Sequence, residues 1–93
     1  MGLVEELSFT TVRQRAAGFL LQMARRSGKR TARGITFTIT ASNREIAARI
    51  GTVREVVSRN LGTFHNQGII ELEGRTVLIP SLSALEAETK GQG

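Results

Sequence analysis

The sequence lacks cysteine, aspartate, tryptophan and tyrosine, and it has one histidine and one proline. Without cysteine there can be no disulfide, thiolate metal site or cysteine nucleophile. The lone His65 has no serine partner at a telling spacing and no cluster of metal ligands around it, so we interpret it as a surface residue at a helix end. No glycine-rich phosphate loop of the G-x-x-x-x-G-K type is present. We therefore expect neither an enzyme nor a metal or cofactor in this chain.

Long apolar segments are also missing. No apolar run approaches the roughly 20 residues that span a bilayer, and the N-terminus lacks the apolar core of a signal peptide. With 93 residues, 40% hydrophobic and 23% charged, the chain has the size and composition of one globular domain. These features predict a cytoplasmic protein without a membrane partner.

Positive charge is concentrated in the middle of the chain. The net charge is +5, from 13 basic and 8 acidic residues. Residues 13–59 contain eleven of the basic residues and only two glutamates, whereas each flanking segment has a net charge of −2. Most of the basic residues are arginine, whose guanidinium group can bind phosphate or a guanine edge through two hydrogen bonds. The distribution favours an anionic partner.

The first half of the sequence predicts a helix, a loop and a strand. Apolar residues recur three and four apart from Ser8 to about Arg26, which is typical of a helix. Residues 27–34 are polar, basic and bracketed by glycines, and we expect a mobile surface loop. Isoleucine and phenylalanine then alternate with threonine over residues 35–40, which predicts a strand with one buried face.

Two motifs in the centre of the chain each predict the start of a helix. Ser42 to Glu45 (SNRE) can form a capping box, in which each side chain accepts from the other residue's backbone amide. Gly51 ends this first helix, and residues 52–55 (TVRE) can form a second capping box directly after it. Two helices joined by so short a turn are typical of the helix-turn-helix motif.

The second of these helices is predicted from Val53 to about Asn66 and has two unlike faces. At 100° per residue, its apolar residues fill an arc of about 140°; they are Val53, Val56, Val57, Leu61 and Phe64. The opposite face is polar and consists of Arg54, Glu55, Ser58, Arg59 and Gly62. We expect the apolar face to pack and the polar face to contact a ligand. Asn60 interrupts the apolar arc.

The end of the chain predicts a β-hairpin and a last helix. Residues 69–73 and 76–79 form two strands around the turn pair Gly74-Arg75. We call this hairpin the wing. Pro80 ends the hairpin, and Ser83 caps a short helix. The predicted fold class is α+β, mainly α: a winged helix-turn-helix with a three-helix core, a small antiparallel sheet that includes the wing, and a short C-terminal helix.

The segment from Ser42 to Ile79 resembles the DNA-binding domain of the cyclic-AMP receptor protein/FNR family of bacterial transcription regulators. The similarity is carried by E-I-A at 45–47, Gly51, R-E-V-V-S-R at 54–59 and Gly68-Ile69-Ile70, and residues 7–24 resemble the helix that opens that domain. The resemblance implies sequence-specific binding of double-stranded DNA, with helix 53–66 in the major groove. It also implies a homodimer in the full-length protein, bound to an inverted repeat.

The resemblance also implies roles for individual residues. The residues that it places on base edges are Arg54, Glu55, Ser58 and Arg59. Those placed near phosphates are Arg13, Ser42, Asn43, Arg44, Thr52 and Arg75. Two positions depart from the family pattern: Gly62 stands where a basic residue is common, and Asn60 stands where an apolar residue is usual.

Three segments are expected along the chain. Residues 1–7 are either the remnant of a preceding dimerisation helix or an artificial start, residues 8–88 are the winged-helix domain, and residues 89–93 are a frayed tail. In the family, an effector binds an N-terminal sensor domain, which this sequence does not contain. As a fragment, the chain is expected to be a monomer or a weak dimer.

Two other functions are open to a domain of this kind. A winged helix that mediates protein–protein interaction without DNA is the alternative. Such a module would present an exposed apolar patch where helix 53–66 has its polar face. RNA binding would require aromatic stacking platforms, and the four phenylalanines lie mostly at core-periodic positions.

Overall fold

The computed structural model describes residues 11–90. This part of the chain contains four helices and one antiparallel sheet of four strands. The helices are α1 (Val12–Ser27), α2 (Asn43–Ile50), α3 (Arg54–Asn66) and α4 (Leu82–Thr89). The strands are β1 (Lys29–Thr31), β2 (Gly34–Thr38), β3 (Glu71–Glu73) and β4 (Thr76–Ile79). The predicted winged helix-turn-helix fold is confirmed.

The core lies where the helices meet the sheet. Its largest fully buried side chains come from α1, α2, α3, α4, β4 and the segment before β3; they are Phe64, Leu20, Ile46, Ile70, Ile79, Leu85, Val57 and Val77. The alternation predicted for residues 35–40 is confirmed over residues 37–40, because Phe37 and Ile39 are buried while Thr38 and Thr40 are exposed; Ile35 and Thr36 are both half-buried, and β2 ends at Thr38. No helix among residues 11–90 has the length and hydropathy needed to cross a membrane.

The sheet has the strand order β1-β2-β4-β3, so the wing hairpin is joined to the rest of the sheet through β4. Residues 74 and 75 form the predicted two-residue turn, since Glu73 pairs with Thr76 across it. The first wing strand begins two residues later than predicted. The amides of Ile69 and Ile70 both donate to the carbonyl of Phe64, at 3.0 and 3.4 Å, so these residues terminate α3 instead of extending the sheet.

The mobile loop predicted for residues 27–34 is wrong. Lys29 to Thr31 form strand β1, which pairs with β2 through a tight turn. The Thr31 hydroxyl supports this turn by accepting from the Arg33 amide at 3.1 Å and donating to the Gly34 carbonyl at 3.0 Å. All three residues of β1 are exposed. An exposed edge strand has no buried face, so its sequence carries no alternating hydrophobic pattern.

Glycine is required at position 34. Gly34 has φ +143°, and a Cβ atom there would lie 2.2 Å from the carbonyl oxygen of Ile79. The close approach lets β2 leave the β1 turn and run directly alongside β4.

Two predicted helix starts are also corrected. α1 begins at Val12 instead of Ser8, because Thr11 is extended and forms a capping box with Gln14; residues 8–10 lie outside the described range. α4 is capped by Ser81 and not by Ser83, since the Ser81 hydroxyl accepts from the Ala84 amide at 3.4 Å. α4 continues to Thr89, and residues 91–93 of the predicted tail lie outside the described range.

Candidate nucleic-acid interface

The helix-turn-helix motif begins with the predicted capping box of α2. The Glu45 amide donates to Ser42 Oγ at 3.1 Å, and the Ser42 amide donates to Glu45 Oε1 at 2.8 Å. At the other end of α2, Gly51 has φ +80°, and the amides of Gly51 and Thr52 both donate to the Ala47 carbonyl. The left-handed glycine reverses the chain within one residue. Ala47, which is 3% exposed, is small enough to lie at the helix crossing.

The capping box makes the stability of the domain sensitive to acid. The pKa of Glu45 is lowered from 4.5, first by the hydrogen bond from the Ser42 backbone amide, then by the Ser42 side chain and by the charge of Arg49. A lowered pKa in the folded state adds stability above pH 4.5, and this stability is lost as the pH falls through the folded value. Glu45→Gln keeps a capping side chain without its charge. We expect the melting temperature of the wild type to exceed that of Glu45→Gln at pH 7 and the difference to shrink as the pH falls below 4.5 in matched thermal melts. A difference that grows on acidification would contradict this role.

The second predicted capping box, between Thr52 and Glu55, is wrong. The Thr52 amide bonds back to Ala47, so Thr52 belongs to the turn and is not the cap. The N-cap of α3 is Val53, which is extended (φ −115°, ψ 159°) and has no side-chain acceptor for the first amides of the helix. Glu55 is then the second helical residue instead of the third, and it cannot reach back as a capping box requires.

Val53 also departs from the predicted apolar arc of α3. The other four members of the arc are buried or half-buried, but Val53 is 57% exposed and is the only large hydrophobic residue exposed among residues 11–90. Asn60, which interrupts the arc, is accommodated because its Nδ2 donates to the Val56 carbonyl at 2.9 Å. The polar intrusion therefore leaves no unsatisfied group at this position.

A better cap at position 53 should stabilise the protein. Serine is among the preferred N-cap residues and valine among the poorest, a difference of about 1 kcal/mol. We expect Val53→Ser to raise the melting temperature by about 4–8 °C, the shift that 1 kcal/mol gives a domain of this size. Val53→Ala, which shortens the side chain without adding an acceptor, should give no gain. A Val53→Ser protein that melts no higher than the wild type would show that the α3 amides are satisfied in another way.

The polar face of α3 lies beside the start of α2. Arg54, Glu55 and Ser58 line one groove with Asn43, and the volume of this groove is about 360 Å³. Arg59 follows Ser58 in the same helix and is also exposed, but it does not line this groove. Three of the four predicted base-contacting residues thus line one groove, together with a predicted phosphate-contacting residue.

The arginines of this surface are weakly paired. Arg54 Nε lies 3.7 Å from Glu55 Oε2, and both side chains are about two-thirds exposed, so the pair contributes little stability. The i,i+4 spacing of Glu55 and Arg59 does not produce an ion pair in the described structure. The side chains of Arg44 and Arg59 form no hydrogen bond or ion pair with another residue of the described range. Their guanidinium groups are available to a ligand.

The wing turn is attached to the same surface. Arg75 donates to Asn43 Oδ1 at 2.9 Å and to the Ala41 carbonyl, and the Ile39 amide donates to the Arg75 carbonyl at 2.8 Å. These contacts hold the wing turn against the start of α2. No local pattern in the sequence signals the contact between Arg75 and Asn43, which are 32 residues apart.

Arg13 is placed elsewhere. Its Nε donates to Glu88 Oε1 and its Nη2 to Gln67 Oε1, both at 2.7 Å, and its guanidinium lies 4.9 Å from the ring centroid of Phe64. These residues lie near the C-terminal end of α3, away from Arg54. The structure does not bring Arg13 to the surface formed by the other predicted residues, and its contact with phosphate stays a prediction.

Ion pairs divide the arginines into two groups. Three glutamates of β3 and α4 pair with arginines of α1 and the β1–β2 turn; the pairs are Arg13–Glu88, Arg25–Glu86 and Arg33–Glu71. Arg44, Arg54 and Arg59 have no such strong partner within residues 11–90. Unpaired positive charge therefore lies next to the groove, and a second group without an ion pair in residues 11–90, Arg26, Lys29 and Arg30, lies at the end of α1 and in β1.

His65 has a role that the sequence did not indicate. It is exposed, as expected, but its Nδ1 accepts from the Leu72 amide at 3.2 Å and so joins the end of α3 to the wing strand β3. Among residues 11–90 no three histidines or glutamates are grouped as a metal site would require.

Comparison with known proteins places the chain in a family. A model described as the Crp-like helix-turn-helix domain matches residues 14–88. The CRP-like cAMP-activated global transcriptional regulator of Mycobacterium tuberculosis is 40% identical over 74 residues, which are 80% of this chain and 33% of the relative. The nitrogen fixation regulation protein FixK of Azorhizobium caulinodans is 42% identical over 77 residues, 81% of this chain and 31% of the relative.

Solved structures agree. A variant of CooA from Carboxydothermus hydrogenoformans has a TM-score of 0.79 at 34% identity, covering 92% of this chain and 40% of the other. FixK2 from Bradyrhizobium japonicum has a TM-score of 0.77 at 32% identity, covering 89% of this chain and 40% of the other. The chain spans about a third of the length of the curated relatives it matches. It belongs to the Crp/Fnr family of bacterial helix-turn-helix transcription regulators and carries their DNA-binding fold.

Proposed function

We propose that this chain reads the sequence of double-stranded DNA, with the polar face of α3 in the major groove and the β3–β4 wing beside the sugar–phosphate backbone. The observation that carries the proposal is the exposed surface of α3, where Arg54 and Arg59 lack strong acidic partners. In a regulator of this family such a surface has an evident ligand, because DNA supplies both phosphates and hydrogen-bonding base edges.

The dimensions of α3 suit this placement. An α-helix with its side chains is about 10–12 Å wide, and the major groove of B-DNA is about 12 Å wide. In this arrangement Arg59 donates two hydrogen bonds to guanine O6 and N7, and Glu55 accepts from cytosine N4. Arg54 and Ser58 reach neighbouring base edges from the same face.

The start of α2 and the wing supply the backbone contacts. Free amides at a helix N-terminus attract phosphate, and Ser42, Asn43 and Arg44 stand there. Arg75 is already held against Asn43, so both are positioned beside the same strand of DNA. Thr52, in the turn between the helices, is proposed as a further phosphate contact.

The longer protein is proposed to act as a homodimer on an inverted repeat, with an effector bound by a separate sensor domain. The relatives' names include a cAMP-activated regulator and a CO-dependent transcription factor, so effectors differ within the family. The domain alone, as a monomer or weak dimer, should bind one half-site with low affinity.

Protein–protein interaction without DNA is the weaker alternative. It requires a contiguous apolar patch of several hundred Å², whereas Val53 is the single large hydrophobic residue exposed within residues 11–90.

Selection of duplexes from a randomised DNA pool at low salt tests the proposal. We expect enrichment of a half-site that contains guanine, and binding that weakens with a log–log salt slope of about 0.9 per phosphate contacted. Salt-sensitive retention without enrichment would reduce the role of the surface to non-specific binding. No retention at low salt would refute DNA binding by this chain and favour the protein-interaction alternative.

A further inference from the structure

The exposed Val53 stands at the N-terminal end of α3, the helix proposed to enter the major groove. It is the N-cap residue, one position before Arg54, and 57% of its surface is open to solvent. The adjacent groove is lined by polar side chains only. A single exposed valine is too small for a protein-binding patch. A polar N-cap residue at this position would give the free protein a more stable helix, so valine is not explained by stability.

The position limits what Val53 can contact. Recognition helices of this motif touch base edges with their N-terminal residues. A valine side chain has no hydrogen-bond donor or acceptor, so it cannot recognise the polar groups of guanine, adenine or cytosine. Thymine is the one base with an apolar group in the major groove, its C5-methyl.

We propose that Val53 is a specificity-determining residue that recognises one thymine in each half-site by burying its C5-methyl group. This inference rests on the proposed function, and it assigns to position 53 an apolar contact that complements the hydrogen bonds of Arg54, Glu55 and Arg59. Val53 lies next to these residues in the chain, so the thymine should be adjacent to the base pairs that they read.

Removing one methyl group at a time from the DNA tests the proposal. Each thymine of the selected half-site is replaced in turn by deoxyuridine, which removes the methyl group and keeps the pairing edge. We expect one position at which the substitution weakens binding by the wild type about fourfold, the value of one buried carbon group. At that position the Val53→Ser protein should bind the thymine and deoxyuridine duplexes equally.

The ratio of the affinities for the thymine and deoxyuridine duplexes separates the methyl contact from other effects of the substitution. A serine at position 53 can strengthen the helix or contact a phosphate, but either effect changes binding to both duplexes alike. Thermal melts of Val53→Ser confirm that the variant is folded.

The outcomes distinguish this inference from the proposed function. If no deoxyuridine substitution weakens binding, or if Val53→Ser keeps the same thymine preference as the wild type, the inference is overturned while specific DNA binding stands. If the wild type enriches no duplex sequence at all, the proposed function fails and the inference fails with it.

Discussion

Replacing Arg59 by alanine should abolish most of the sequence preference of the domain. A bidentate contact between arginine and guanine contributes about 1–3 kcal/mol of discrimination, so affinity for the selected duplex should fall roughly 5- to 150-fold. The Arg59 side chain forms no ion pair or hydrogen bond with another residue of the described range, and its loss should therefore leave the fold intact. Fluorescence anisotropy with the selected and a scrambled duplex measures the effect.

Arg59→Lys is the matched control because it keeps the charge and loses the planar pair of donors. We expect Arg59→Lys to retain most of the binding to scrambled DNA and to lose the preference for the selected guanine. Equal losses of Arg59→Ala on both duplexes would contradict base reading and leave Arg59 as a phosphate contact.

Replacing Phe64 by alanine should nearly unfold the protein. Phe64 is fully buried on α3, and Arg13 stacks over its ring. Truncating a buried phenylalanine to alanine costs about 3–5 kcal/mol, a large part of the 5–15 kcal/mol that stabilises a typical domain. The melting temperature should fall by roughly 12–40 °C.

Phe64→Leu fills more of the cavity and should lose clearly less stability than Phe64→Ala. Calorimetry of the two variants measures the difference. A Phe64→Ala protein that melts within a few degrees of the wild type would mean that the end of α3 is not anchored through this side chain.

The helix-turn-helix could be predicted from sequence because its signals are local. Ser42 and Glu45 lie three residues apart, and Gly51 indicates the turn because glycine readily adopts the left-handed backbone conformation that ends a helix. The polar face of α3 followed from the helical period alone, and four of its five residues, Arg54, Glu55, Ser58 and Arg59, are exposed in the structure.

The features that were missed depend on contacts between distant residues. β1 is paired by hydrogen bonds to β2 and has no buried face to mark it. The position of Arg13 is determined by Glu88, 75 residues away. Val53 fits the apolar arc by angle but lies before the first helical turn, where its extended backbone turns it out of the core.

The ion pairs that stabilise the fold lie apart from the groove between α2 and α3. Arg13, Arg25 and Arg33 use their charges to tie α1 and the β1–β2 turn to acidic residues. The side chains of Arg44 and Arg59 have no such partner within residues 11–90, so they can bind an external anion without breaking an ion pair.

Mapping the contact surface by NMR tests the central claim most directly. The selected duplex is titrated into the domain and the shift of each backbone amide is followed. We predict the largest shifts at residues 42–44, 52–59 and 74–75, with little change in the β1–β2 hairpin or in α4. Largest shifts in the β1–β2 hairpin or in α4, with residues 52–59 unchanged, would contradict the reading of DNA by α3.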